Sequence, residues 1–229
     1  MICKYSPERE SNYEKSVEKI TLMKTLKHTT INSRNFQECQ SHLLRVITSK
    51  EFLHNEGLNN EVPFHICPYE SSIHKDITQL VKQLCNDLAD QNIEVLEVNL
   101  YDLVIEILKS EGDWEWILEN EFKMTRNELK EELQGILDIE TVITPAITKK
   151  MEEKEHSVIL LTGIGEVFPY IRSHNILNNL QKKAKDKPTL MFFPGEYQHS
   201  LESGASLVLF GCLQDDKYYR AFNILDRAI

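Results

Sequence analysis

Three runs of four uninterrupted apolar residues, Val158–Leu161, Leu190–Phe193 and Leu207–Phe210, constrain this chain more than any other feature. A strand with one face in water alternates apolar and polar residues. A strand that is apolar at every position is covered on both faces, the condition of a parallel sheet packed between helices. The segments between these runs have the matching character. "VPFHICPY" predicts a first strand, Val62 to Cys67, stopped by Pro68. Behind a Ser cap, Ile73, Ile77, Leu80, Leu84 and Leu88 recur at helical spacing, and "NIEVLEVNL" predicts a second strand. The helices "YDLVIEILKSEG", "DWEWILENEF" and one long "TRNELKEELQGILDIETVITPAITKKMEEKE" follow, before Val158–Leu161 opens the third strand. "PTLMFFPG" and "ASLVLFGCL" are the fourth and fifth strands.

Strand and helix in alternation predict an α/β fold: a three-layer, mainly parallel sheet of about five strands with right-handed crossovers. With 229 residues, 41% of them hydrophobic, the chain can bury a core of that size in one domain. Residues 1–40 are polar, with a loose apolar spacing at Tyr13, Val17 and Ile20, and read as a partly helical or flexible extension. Residues 41–229 read as the single α/β domain, opening on the short amphipathic helix "SHLLRVITSKEFLHNEGL".

The formal charge of −10 is confined to one part of the chain. Glu94 to Glu155 holds 17 acidic and 7 basic residues, whereas the remainder is balanced at 19 of each. Duplex binding needs clustered Lys and Arg, so direct DNA contact through this region is not expected. No run approaches the roughly 18 apolar residues of a membrane span, and "MICKYSPERES" lacks the apolar stretch of a secretory signal, so the expected location is the cytoplasm. Five cysteines at scattered spacings, without a C-x-x-C pair, fit reduced thiols.

The third strand runs into Gly163-x-Gly165 and then a segment with helical spacing, the order of elements that holds phosphates at helix N-termini. A dinucleotide fingerprint needs a third glycine where Phe168 stands, and no G-x-x-x-x-G-K-[ST] run occurs in the chain. The first strand leads into "CPYESSIHKD", where Glu70 would repel a triphosphate. The plainer reading of Gly163 and Gly165 is a tight strand-to-helix turn. Arg172, Ser173 and His174 open the next helix and are the candidate anion or partner contacts; a capping Ser and a paired Arg explain them as well. His65 and Cys67 share one face of the first strand, where a thiol nucleophile or a metal pair competes with ordinary core packing. "HNE" at His54–Glu56 has the H-x-E shape of a zinc deaminase but lacks the completing P-C-x-x-C. No catalytic residue, metal or cofactor is therefore expected. Trp114 and Trp116, two apart on a helix, cannot share a face, so one can be core while the other anchors a partner. Tyr218, Tyr219 and Arg220 form a second candidate partner contact.

From about Ser41 onward the chain resembles the BrxB family of bacteriophage exclusion (BREX) defence systems. The likeness lies in "EVPFHICPYE", "IEVLEVNLYDLVIEIL", "LLTGIGEVFPYIRSHNILNNLQ", "MFFPGEY" and "LVLFGCLQDDKYYRAFNI", in that order. It implies a cytoplasmic, non-enzymatic subunit of a system that methylates host DNA and restricts unmarked phage DNA. A core like that of P-loop NTPases without the phosphate loop is the implied fold. The implied partner is a PglZ-like protein, with a BrxC-like ATPase and a PglX-like methyltransferase as further contacts. The competing reading is a cryptic nucleotide or nucleic-acid binder that uses the strand-end cleft near Gly163.

Overall fold

The computed structural model describes residues 29–56, 63–184, 186–200, 204–214 and 221–228. A parallel sheet runs in the order β2 (Val95–Asn99), β3 (Val158–Thr162), β4 (Thr189–Ser200), β1 (Phe64–Tyr69) and β7 (Phe222–Asn223). Beyond Pro194, β4 continues as one rail of an antiparallel hairpin with β5 (Gly204–Leu209), which pairs in turn with β6 (Leu213–Gln214).

The apolar runs are buried on both faces because successive side chains point to opposite sides. Val158, Leu160, Leu190 and Phe192 face one core; Ile159, Leu161, Met191 and Phe193 face the other. The first core is covered by α1 (Phe36–Ile47), α2 (Lys50–Leu53) and α3 (His74–Ala89). The second lies under α4 (Leu100–Glu111), α5 (Asp113–Asn120), α7 (Thr144–Glu153) and α8 (Ser173–Leu180), with α6 (Arg126–Ile136) against its margin. Phe192 and Phe193 occupy adjacent positions, almost wholly buried on opposite sides of one strand. Each contributes on the order of 1.5–3 kcal/mol by leaving water.

Several elements depart from the sequence expectations, each for a local reason. Strand β1 does not stop at Pro68; it runs to Tyr69. The Pro68 ring lacks a donor only on the side where β7 has already ended, and its carbonyl still accepts from the Ile31 N–H at 2.9 Å. Leu207–Phe210 is not a doubly covered parallel strand. It lies in the antiparallel hairpin, with Leu207 and Leu209 buried and Phe210 exposed. The long helix expected over 125–155 is broken. Asp138 ends α6 by accepting from the N–H groups of Glu140 and Thr141, a π turn spans Ile139–Ile143, and Pro145 in the first turn restarts the chain as α7. The expected domain start near residue 41 falls inside α1, whose Cys39 is fully buried. Upstream of α1, Ile31 bridges Tyr69, and the Thr29 carbonyl accepts from the Asn223 side chain at 2.8 Å. The sequence-predicted features at Tyr13, Val17, Ile20, Tyr218, Tyr219 and Arg220 lie outside the described residues.

Candidate functional site

In open α/β sheets ligands sit at the carboxyl ends of the strands, where the winding reverses. Here β1 connects onward to β2 on one side and β4 to β7 on the other, so the neighbours β1 and β4 bracket that point. The loop that leaves β3 lies across it.

No helix starts at the glycine turn. Residues 164–170 form successive turns, and α8 begins only at Ser173. Gly163 has φ +74°, and a Cβ there would collide with the Asn99 side-chain oxygen and come within 3.0 Å of the Leu100 and Tyr101 nitrogens. That Asn99 oxygen already accepts from the N–H groups of Tyr101 (2.9 Å) and Asp102 (3.2 Å), which caps α4. The turn is thus a close seat for a neighbouring helix start, and those amides are taken by the protein itself. Gly165 seats the same loop on the hairpin root: its Cβ would stand 2.9 Å from Pro194 and 3.0 Å from the Phe210 ring. Phe168 meets Phe210 edge to face at 6.3 Å.

Arg172 occupies the N-cap position of α8, with Ser173 buried behind it. Arg172 and Ser173 line a cavity of about 180 Å³ between this loop and the hairpin, together with Ile164, Phe168 and Gln214. The structure therefore brings Gly163, Gly165, Arg172, Ser173 and His174 into one loop-and-helix unit. Trp114 and Trp116 lie apart from it on α5.

The loop is also fastened to the end of β1 by a contact that sequence reasoning missed. The Tyr69 hydroxyl and His74 Nδ1 share a hydrogen bond of 3.0 Å, and His74 Nε2 donates to Glu166 at 3.2 Å. Burial, then the Glu166 and Cys67 charges, push the Tyr69 phenol well above its usual range, so the hydroxyl keeps its proton. The chain of three ties β1, the first turn of α3 and the β3 loop together. Nothing in the sequence spacing signals it, because Glu166 stands 92 residues from His74.

His65 and Cys67 are core residues. Burial and then the Arg227 cation lower the His65 pKa to about 3, and Arg227 Nη1 donates to its Nε2 at 3.2 Å, placing a cation beside the ring where a metal pair with Cys67 would be repelled. Cys67 is fully buried, and burial followed by its neighbour Cys39 raises its thiol well above the ordinary range, opposite to the shift a nucleophile requires. The described cysteines Cys39, Cys67, Cys85 and Cys212 are all free thiols.

The acidic helices carry a different kind of surface. Trp114 packs against the core with Lys109 5.5 Å above its ring, whereas Trp116 is 43% exposed. Leu118 (48%) and Phe122 (76%) add apolar area within the next two turns. Among the described residues no helix is long and apolar enough to cross a membrane.

Together these features define a class: an α/β protein on a mainly parallel sheet whose strand-end crevice is crossed by its own loop and whose apolar exposure lies on an acidic helical arm. Residues 96–224 match the family model described as BREX protein BrxB. A BREX protein BrxB of Bacillus cereus (strain H3081.97) is 34% identical over 201 residues, covering 85% of this chain and all of that protein. Another, of Escherichia coli O9:H4 (strain HS), is 30% identical over 179 residues, covering 78% of this chain and 86% of its own length. No solved structure matches. The chain belongs to the BrxB family, and so to the components of BREX phage-defence systems.

Proposed function

We propose that this protein is a non-enzymatic assembly subunit of a cytoplasmic BREX complex, supporting host methylation and phage restriction by holding a PglZ-like subunit. A BrxC-like ATPase and a PglX-like methyltransferase are its further contacts, and it does not bind DNA directly. The observation that carries this reading is the exposed Trp116, Leu118 and Phe122 on the acidic arm. Large apolar side chains left in water are a standing cost unless a partner covers them, and Trp is the residue most often found at the energetic centre of an interface. The filled crevice supports the same reading, since the place where such a sheet would take a nucleotide is held by Gly165 on Pro194 and by Glu166 on His74. The acidic excess of residues 94–155 disfavours a nucleic-acid partner on this arm.

The test is co-expression with the PglZ-like neighbour, followed by size-exclusion chromatography with light scattering. The wild type is expected to co-elute as one complex. Trp116→Ala combined with Phe122→Ala should weaken it by about tenfold or more while leaving the melting temperature nearly unchanged. Two separate wild-type peaks would overturn the proposal.

A further inference from the structure

The helices that carry the acidic excess leave an open groove of about 670 Å³ between α4 and α7. Its floor is apolar, with Leu103 and Ile107 on one side and Ile136, Val142 and Ala146 on the other. Its rim is charged and uneven. Lys150 donates to Glu106 at 2.8 Å, and Lys149 pairs with Glu153 at 3.7 Å, so both lysines are matched. Glu111 and Asp113, at the corner between α4 and α5, have no ion-pair partner among the described residues. Four carboxylates against two ammonium groups leave the rim negative.

Part of one wall is the π turn, which presents Thr141 and Val142 to the groove. Such turns are rare and collect at functional sites. Asp113 and Trp116 stand three apart on α5 and share a face, so the acidic end of the groove leads toward the exposed indole.

We infer that this groove is the docking channel for a basic amphipathic helix of a partner protein; only the identity of the subunit supplying that helix rests on the adaptor reading. The apolar stripe of the helix lies on the half-buried Ile136, Val142 and Ala146, above the core residues Leu103 and Ile107, and its Lys or Arg side chains meet Glu111 and Asp113. Burial of the stripe supplies affinity, while the charges set orientation and reject acidic helices.

A fluorescein-labelled synthetic helix of about 18 residues, built from Leu and Lys with an apolar stripe, is titrated against the full chain by fluorescence anisotropy. A Leu/Glu helix of the same pattern serves as the opposite-charge probe. The wild type is expected to bind the basic helix, more weakly as salt rises, and to ignore the acidic one. Glu111→Lys with Asp113→Lys should cost about tenfold or more. Asp87→Lys with Asp90→Lys makes the same change of charge at the C-terminal end of α3, across the sheet, and should leave binding unchanged. Equal losses in the two variants, or no wild-type binding, would overturn the inference. The co-elution experiment separates the two proposals. A PglZ complex untouched by Glu111→Lys and Asp113→Lys keeps the adaptor and removes PglZ as the source of the helix, whereas helix binding without co-elution keeps the groove and removes the adaptor.

Discussion

Gly163 shows how one missing atom joins two elements. Its backbone sits against Asn99, the residue that caps α4, so an added methyl meets both a positive φ and an occupied site. Gly163→Ala is expected to destabilise the protein by about 2–4 kcal/mol, from left-handed backbone strain and overpacking. Asn99→Ala alone should cost about 1 kcal/mol as a lost cap. Because Asn99 is the atom the new methyl strikes, the double variant should cost less than the sum in urea denaturation; strict additivity would refute this account of the turn. His65 gives a pH signature. In the fold its pKa is about 3 against an ordinary 6.5, so the ring stays neutral while the unfolded chain takes up a proton as pH falls through about 6.5. Stability is therefore full above that pH and declines toward pH 3, with a slope from this group of up to about 1.4 kcal/mol per pH unit. His42, lowered chiefly by burial, acts with the same sign. Denaturation midpoints across this range should show a shallower slope in His65→Asn, and an unchanged slope would exclude the assignment. At this scale the sequence reveals residue types but not meetings. Gly163 announces a turn, yet its partner Asn99 and the contact of His74 with Glu166 arise only when β2, β3 and α3 are brought together.

Among the elements, strands were more legible than their limits. Four apolar residues in a row identify β3 and the inner half of β4, because no other secondary structure hides both faces so fully. The same pattern misleads at Leu207–Phe210, where the hairpin needs only one covered face. Pro68 misleads in the other direction, since the cost of a missing donor depends on whether a neighbour stands on that side. The break after α6 had a local signal, an Asp three residues before a Thr and a Pro beyond it, that helical periodicity overrode. Helix α6 buries no residue fully and holds its start through a capping box: Thr125 Oγ accepts from the Glu128 N–H at 3.3 Å, and Glu128 accepts from the Thr125 N–H at 2.7 Å. Thr125→Ala should therefore cost about 1 kcal/mol locally. The readout is faster amide exchange across Arg126–Ile136 with little change in global melting, because so lightly anchored a helix opens on its own. A matching fall in exchange protection across β3 would contradict that picture.

For the molecule as a whole, the family and the α/β architecture were legible, while the surface available to a partner was not. Composition locates the acidic excess between residues 94 and 155; only folding shows that Trp114 is spent on the core and Trp116 is left outside. A charge concentrated on one arm should speed encounter with a basic partner. In stopped-flow association with the PglZ-like subunit, the on-rate is expected to fall steeply as ionic strength rises, with a much smaller change in dissociation. A salt-insensitive on-rate would mean that the arm does not face the partner. The continuity of β4 has a mechanical consequence. Its outer half is a rail of the hairpin, while its inner half is held by six paired residues of β1 and three of β3. A pull on the hairpin along the strand axis would load those ladders in shear, all rungs together, instead of peeling them one by one. Tension on this projection is thus carried straight into the middle of the sheet, giving the molecule a rigid handle whose root is among the last parts to yield.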